Sequence, residues 1–189
     1  SHDNVGIVNY TWTFNDESPT VLYGVSQTYI FNNAGAFDIV LNVTDAAGFW
    51  DLDTMNVIVR DTTKPVANAG PDMVVGISSK ATFDGTASTD NVGIIRYEWT
   101  FEVSSEEIKL VGANPSYGFQ ELGNYPVMLC VTDRAENKGY DTMTVTVADM
   151  THPIADAGPD RTVDEDSFFT LDGSSSSDNI GISNYTWTF

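Results

Sequence analysis

The chain has 189 residues, with 27 acidic and 8 basic side chains, and its formal net charge at pH 7 is −19. Binding to nucleic acid or to an anionic membrane surface needs a basic footprint, so this charge argues against both partners. The chain is also 41% hydrophobic and 12% aromatic, which is too apolar for a disordered acidic tail.

Residues 1–60 contain three runs in which apolar and polar side chains alternate. Their apolar members are Tyr10, Trp12 and Phe14, then Phe37, Ile39, Leu41 and Val43, then Met55, Val57 and Val59. A period of two places such side chains on one face of a strand. Clusters of Gly, Pro, Asn and Asp separate the runs, and no segment keeps a helical period. We therefore predict strands that each bury one face.

Residues 65–148 and 153–189 repeat this pattern. The sequence DNVGI followed by a Tyr-x-Trp-x-Phe run begins at Asp3, recurs 87 residues later at Asp90, and returns as DNIGI a further 88 residues on at Asp178. Such self-similarity indicates tandem modules. We predict a complete repeat at 65–148, a partial repeat at 1–60 that lacks its first strands, and a partial repeat at 153–189 with first strands only.

A complete repeat predicts an all-β sandwich of about seven short strands, present in tandem copies. The partial repeats leave two explanations open. Either the chain is a window from a longer array, with its true ends elsewhere, or strands of one subunit complete the half-sandwich of another, as in donor-strand assembly.

Four motifs of the complete repeat resemble the polycystic kidney disease (PKD) domain, most closely its archaeal and bacterial cell-surface versions. They are NAGPD at 68–72, FDGTASTD at 83–90, the Tyr97-x-Trp99-x-Phe101 run, and GNYPV at 123–127 leading to VTD at 131–133. The family's usual Phe-Gly-Asp-Gly turn is replaced by FNDE at 14–17 and by FEVS at 101–104. The resemblance implies an all-β fold of tandem Ig-like, PKD-type β-sandwiches in an extracellular, cell-surface protein.

Three acidic residues fall in segments that an Ig-like topology brings to one pole: Asp61 in the entering linker, Asp90 after the second strand, and Asp133 between the last two strands. Converging carboxylates repel one another unless a hard cation lies among them, and Ca²⁺ takes about six to eight oxygen ligands. The resemblance adds that PKD-like modules of bacterial collagenases bind calcium at a comparable place. The alternative is that these aspartates only shape turns.

The partial repeats carry incomplete versions of this set. The counterparts are Asp3 and Asp45 in the first repeat, and Asp149 and Asp178 in the third. A metal there would need further chain or a neighbouring subunit. We predict that Ca²⁺ at such positions stiffens the junctions between modules.

Three sequons, at Asn9, Asn42 and Asn184, predict outward-facing glycan acceptors. Phe49 and Trp50 stand where the second repeat has Asn137 and Lys138. This difference indicates either a contact specific to the first repeat or aromatic side chains folded back over their own module.

Nothing in the sequence predicts catalysis. The two histidines stand in loop or linker positions, and no nucleophile elbow, zinc-protease helix or phosphate-binding glycine loop appears. No apolar run reaches the roughly 18 residues that a membrane span requires, so we expect no membrane insertion.

We therefore predict an extracellular structural or adhesive array, part of a surface layer, sheath or filament, that associates with neighbouring repeats or subunits. The main alternative is an accessory substrate- or protein-binding module of a secreted hydrolase. A third class is a haloarchaeal protein whose acidity serves only solubility in salt.

Overall fold

The computed structural model describes residues 6–189, and this range contains eleven strands and no α-helix. The strands are β1 (Ile7–Asp16), β2 (Ser18–Tyr23), β3 (Gly35–Asp45), β4 (Trp50–Val59), β5 (Met73–Gly76), β6 (Lys80–Thr82), β7 (Ile94–Val103), β8 (Glu106–Val111), β9 (Ser116–Gly118), β10 (Gly123–Asp133) and β11 (Lys138–Ala148). No helix capable of crossing a lipid bilayer occurs in the described range.

The chain divides into two compact units. The first consists of the residues up to Val66 together with Thr89–Ile95 and Thr132–Gly139. The second consists of Ala67–Ser88, Arg96–Val131 and Tyr140–Phe189.

Four antiparallel strands form the sheet of the first unit, in the order β2-β1-β3-β4. Trp12 of β1 lies opposite Leu41 of β3, so the two side chains share one face. That face is largely open: Phe14 and Val43 are buried, whereas Met55 is 51% exposed. The first repeat is therefore an open sheet in the described structure.

Asp16, at the end of β1, is buried and accepts three hydrogen bonds. They come from the hydroxyl of Tyr29 at 3.1 Å, the backbone N–H of Asn32 at 3.4 Å and the side-chain amide of Asn33 at 3.0 Å. Donation from Asn33, with smaller contributions from Asn32 and Tyr29, holds the pKa of Asp16 below its ordinary value. This network fixes the segment after β2 against the first sheet.

The second repeat is a β-sandwich. Its larger sheet has the order β5-β11-β10-β7-β8, with β5 parallel to β11, and its smaller sheet pairs β6 with β9. Phe83, directly after β6, stacks on Trp99 of β7 with ring centroids 5.1 Å apart, and both side chains are fully buried. The predicted all-β fold class of Ig-like sandwiches is confirmed.

The core tryptophan is anchored in the same way in both repeats. The indole N–H of Trp12 donates to the carbonyl of Gly24 at 3.0 Å, and that of Trp99 donates to the carbonyl of Gly112 at 3.1 Å. An indole N–H buried without an acceptor would be costly, so this bond allows the ring to be buried. Gly85 lies close to the ring, since a Cβ there would be 3.2 Å from Cζ2 of Trp99.

Both hairpins that depart from the family turn remain tight. Glu17 alone separates β1 from β2 and has a φ of 61°, while Ser104 and Ser105 join β7 to β8 with φ values of 51° and 69°. Two consecutive residues with positive φ are typical of the type I′ turn, whose twist matches paired strands. The hairpin geometry therefore persists without glycine.

Residues 149–189 lie in the second unit and form no named strand in the part of the chain described. A backbone bridge joins Ile154 to Ser177, as another joins Val66 to Thr89 at the start of the complete repeat. A Cβ at Gly173 would lie 3.2 Å from Tyr185. The opening segment of the third repeat thus has local contacts like those of the complete repeat.

Candidate metal centre

Asp61, Asp90 and Asp133 lie in one cluster, with one carboxylate oxygen of each residue within 4.8 Å of the others. All three belong to the first compact unit, where the segment after β4 meets the loop before β7 and the end of β10. Asp133 is fully buried, and Asp61 and Asp90 are half-buried. Within residues 6–189 this is the one such group of potential metal ligands.

One oxygen of Asp61 and one of Asp90 complete local turns. Oδ1 of Asp61 accepts the backbone N–H of Thr63 at 3.0 Å. Oδ2 of Asp90 accepts the N–H groups of Val92 at 2.9 Å and Gly93 at 2.7 Å, and Gly93 has a φ of 120° that favours glycine. The turn interpretation therefore accounts for one oxygen of each carboxylate.

The second oxygen of each of these two carboxylates is buried. Oδ2 of Asp61 and Oδ1 of Asp90 have no hydrogen-bond partner among the described residues. A buried acceptor without a partner costs about 1 to 3 kcal/mol, and more when it is charged. The one ion pair between described residues, Lys109 with Glu107, lies elsewhere in the sequence. Turn formation alone leaves these two oxygens unexplained.

Asn137 holds the third carboxylate in place and was missed by the sequence analysis as part of this centre. Its backbone N–H and its side-chain amide each donate to Asp133 at 2.8 Å. The same amide donates to the backbone carbonyl of Asp61 at 3.3 Å. Asn137 does not recur, because Phe49 stands at this position in the first repeat. The signal in the sequence that could have identified this role is the position of Asn137, four residues after Asp133 in a tight turn.

The donor set suits a hard divalent cation. Three carboxylates supply only oxygen ligands, which Ca²⁺ and Mg²⁺ prefer over nitrogen or sulfur. The side chain of Asn91 is adjacent, with its amide 3.5 Å from Oδ1 of Asp61. Asp61, Asp90 and Asp133 would hold the ion, with Asn91 and backbone carbonyls beside them.

The predicted ligands of the partial repeats form no further cluster in the range that the structure covers. Asp3 lies outside the described residues. Asp45 accepts the N–H groups of Ala47 and Phe49 at 2.9 and 2.8 Å. Asp149 is exposed.

Asp178 reproduces the conformation of its counterpart Asp90. Its Oδ2 accepts the N–H groups of Ile180 and Gly181, both at 2.9 Å, and these bonds, Gly181 first, lower its pKa. Its Oδ1 is buried and has no hydrogen-bond partner within residues 6–189.

Two of the three sequon asparagines, Asn9 and Asn184, are exposed, while Asn42 in the middle of β3 is half-buried. Glycan occupancy at all three remains a prediction. Phe49 and Trp50 are 76% and 66% exposed, so these aromatic side chains do not fold back over their own module.

Comparison with known proteins identifies the repeats. The family model described as PKD domain matches residues 1–59 and 62–147. The human Dyslexia-associated protein KIAA0319 is 33% identical over 99% of this chain and 19% of its own length. The mouse Dyslexia-associated protein KIAA0319-like protein is 35% identical over 81% of this chain and 16% of its own length. The chain spans about a fifth of the length of these relatives.

Solved structures with similar folds are more distant. The fibronectin(III)-like modules of CbhA from Clostridium thermocellum align with a TM-score of 0.42 and 14% identity, over 80% of this chain and 85% of that one. A bacterial ice-binding adhesin aligns with a TM-score of 0.34 and 14% identity, over 80% of this chain and 58% of that one.

Proposed function

The chain belongs to the PKD domain family, and from this membership we propose that it is part of an extracellular structural or adhesive repeat array at the cell surface. In this role it performs no reaction and contributes to a surface layer, sheath or filament. Tandem modules that contact mainly their neighbours suit such an assembly, because stability and shape build up along one dimension. An archaeal or bacterial origin remains a prediction, since the relatives named above are mammalian.

We further propose that Ca²⁺ binds at Asp61, Asp90 and Asp133. The observation that carries this proposal is the pair of buried oxygens, Oδ2 of Asp61 and Oδ1 of Asp90, that lack partners within the described range. Both residues belong to the cluster in which one carboxylate oxygen of each member lies within 4.8 Å of the others. A divalent cation would satisfy both oxygens and reduce the local charge from −3 to −1.

Calcium at this position would have a mechanical effect. Asp61 belongs to the segment between two repeats, whereas Asp90 lies in the loop before β7 and Asp133 at the end of β10, both in the second repeat. An ion bound by all three aspartates would attach the segment of Asp61 to the second repeat, in addition to the hydrogen bond from Asn137 to the Asp61 carbonyl. The junction would then be stiffer with calcium than without it.

Calcium titration of the chelator-treated chain tests this proposal. We expect heat of binding by calorimetry and a rise in Tm, because a ligand at about 100 times its Kd stabilises the folded state by about 2.7 kcal/mol. Small-angle scattering should report a narrower distribution of interdomain distances with calcium than with EDTA. The Asp90→Asn variant should lose both responses, whereas Asp84→Asn, at an aspartate outside the cluster, should keep them.

Two results would contradict the proposal. An unchanged Tm with and without EDTA would remove the calcium site. Equal stabilisation by NaCl and CaCl₂ at matched ionic strength would favour the haloarchaeal interpretation, in which acidity serves solubility alone.

A second candidate function is that of an accessory binding module of a secreted hydrolase. The exposed aromatic pair Phe49 and Trp50 supports it, because exposed rings offer contact area to a sugar or peptide ligand. Retention of the chain on insoluble polysaccharide, abolished by a Phe49→Ala and Trp50→Ala double substitution, would favour this function. Absence of retention on a panel of polysaccharides and peptides would count against it.

A further inference from the structure

We propose that the outer face of the first sheet, which is the face opposite Trp12, binds a neutral, extended saccharide. This inference rests on the proposed adhesive role and deepens it, because it names the chemistry of the ligand. Three observations carry it: a polar centre between two exposed aromatic rings, the lack of charge on this face, and the exposure of the same face in the complete repeat. The outer face consists of three rows of side chains that pair across the strands: Asn9-Thr44-Trp50, Tyr23-Thr11-Asn42-Leu52 and Val21-Thr13-Val40-Thr54.

The centre of the outer face is a square of two asparagines and two threonines. Asn9 of β1 lies opposite Thr44 of β3, and Thr11 lies opposite Asn42. The side-chain amide of Asn9 donates to the hydroxyl of Thr11 at 3.5 Å. The hydroxyl of Thr44 donates to the amide oxygen of Asn42 at 3.4 Å. Amide and hydroxyl groups offer both donors and acceptors, so this square can bind the hydroxyl groups of a sugar.

An exposed aromatic ring lies on each side of the square. Tyr23 of β2 pairs with Thr11 and is 68% exposed, and Trp50 of β4 pairs with Thr44 and is 66% exposed. Neighbouring strands lie about 4.8 Å apart, so the three spacings from β2 to β4 span about 14 Å. The apolar C–H face of a pyranose can pack on such a ring while its hydroxyl groups bond the amides beside it. The outer face therefore suits a short chain of sugars that crosses the strands.

The outer face is uncharged, although the chain has a net charge of −19. No side chain in its three rows is charged at pH 7. The complete repeat has charged residues at four of the equivalent positions, namely Arg96, Glu98, Lys109 and Lys138. An uncharged polar face is complementary to an uncharged polar ligand, and the negative charge of the remaining surface repels acidic saccharides.

The exposure of this face is a property of the sandwich. In the complete repeat Val111 occupies the position of Tyr23 and is 71% exposed. Lys138 occupies the position of Trp50 and is also exposed. A complete module therefore leaves this side of its larger sheet accessible. Exposed apolar surface that is bordered by polar side chains is typical of an interaction site.

Glycans attached to Asn9 and Asn42 would supply the same chemistry. Both asparagines belong to sequons, and on this face they are diagonal neighbours about 7 to 8 Å apart. Two attached glycans would crowd each other at this distance, and Asn42 is half-buried in the middle of a paired strand. A separate saccharide is therefore the occupant of the outer face. Chain produced in a bacterial host without N-glycosylation is the material that tests it.

Calorimetric titration with cellohexaose, chitohexaose and mannohexaose tests the proposal on the intact chain and three variants. Trp50→Ala and Tyr23→Ala each remove one ring of the outer face. Tyr140→Ala is the matched control, because it removes an exposed ring from the equivalent, charged face of the complete repeat, at the position of Leu52. Circular dichroism should report folded protein for all three variants, since each replaced side chain is at least 60% exposed.

We expect at least one of the three hexasaccharides to bind the original chain and Tyr140→Ala with equal affinity. Trp50→Ala and Tyr23→Ala should each weaken that binding about threefold to tenfold, because one aromatic contact contributes on this scale. Absence of binding to all three hexasaccharides at millimolar concentration would overturn the proposal. Stronger binding of the acidic hexagalacturonate would overturn it too, as would equal weakening by Tyr140→Ala.

The two ring variants also separate this proposal from the accessory-module function. Weaker binding in Trp50→Ala together with unchanged binding in Tyr23→Ala would place the ligand at the hairpin between β3 and β4, and would refute binding across the outer face. Calcium titration of the same samples separates failure of this inference from failure of the proposed array. Calcium binding without saccharide binding would refute the inference alone, whereas saccharide binding without calcium binding would refute only the stiffened junction.

Discussion

Replacing Asp90 with Asn should remove a charge from the acidic cluster while preserving the loop that carries it. The amide oxygen of Asn can accept the N–H groups of Val92 and Gly93, which donate to Oδ2 of the aspartate. The amide nitrogen then takes the position of Oδ1, which is buried without a partner among the described residues. The substitution removes one of the three negative charges of the cluster, so the repulsion on Asp61 and Asp133 should decrease.

The expected magnitude follows from the separation of the charges. Two unit charges at the 4.8 Å limit of the cluster repel by about 3.5 kcal/mol at an effective dielectric constant of 20 and by about 0.9 kcal/mol in bulk water. Asp90 interacts with two other carboxylates, and salt screens part of the repulsion. Without calcium we expect Asp90→Asn to raise the free energy of unfolding by about 1 to 3 kcal/mol.

Urea unfolding at pH 7, in EDTA and in saturating calcium, measures this effect. Asp84→Asn is the control with the opposite sign. Its carboxylate accepts hydrogen bonds from Thr86 and Asn114 that lower its pKa, so losing that charge should decrease stability. If Asp90→Asn is less stable than the original chain in EDTA, or if calcium stabilises it as strongly, then the cluster is not a strained cation site and this reasoning fails.

Three further predictions concern the sandwich and its acid stability. Gly85→Ala should lower the free energy of unfolding in urea by about 1 to 3 kcal/mol, because its Cβ would lie 3.2 Å from the buried ring of Trp99. Gly118→Ala, whose Cβ would have no described neighbour nearer than 3.8 Å beyond the adjacent residues, should change that free energy by no more than about 0.5 kcal/mol. Leu129→Ala should lower the free energy of unfolding by about 2 to 5 kcal/mol, because Leu129 is fully buried. Leu41→Ala, at the same position of the first sheet, should lower it by clearly less, because Leu41 is only half-buried. Equal losses in the two variants would contradict the open face of the first sheet. Folding lowers the pKa of Asp16, so the ionised carboxylate contributes to stability above the ordinary value of 3.8, and this contribution is lost as the pH falls through the folded value. The decline of the urea midpoint between about pH 5 and pH 2 should therefore be flatter in Asp16→Asn than in the original chain.

The strands could be predicted because they recur. Alternation of apolar side chains identified the members of β1, β3 and β4 and their counterparts in the second repeat, and the repeat confirmed that each run is a unit of structure. The one-residue and two-residue hairpins could not be predicted in the same way. Glu17, Ser104 and Ser105 adopt positive φ, which propensity assigns to glycine or asparagine, and here the pairing of the flanking strands imposes it.

The acidic cluster was only partly accessible from the sequence. Topology predicted that the segments of Asp61, Asp90 and Asp133 share a pole, and the structure places their oxygens within 4.8 Å. The roles of the individual oxygens could not be predicted, because they depend on which backbone N–H groups each turn exposes. The contribution of Asn137 depends on a contact between residues 76 positions apart, which no local pattern encodes.

The presence of aspartate in these turns needs a reason beyond the turns. Asparagine forms the same turn without a charge, and it directly follows Asp90 and Asp178 in their loops. In a chain with a net charge of −19, three clustered carboxylates oppose folding unless something compensates them. Oδ1 of Asp90 and Oδ1 of Asp178 are both buried without a partner in the described range, so the same cost recurs in two repeats. We propose that a bound cation is the compensating partner, which would explain why the charged residue rather than its neutral analogue occupies the turn.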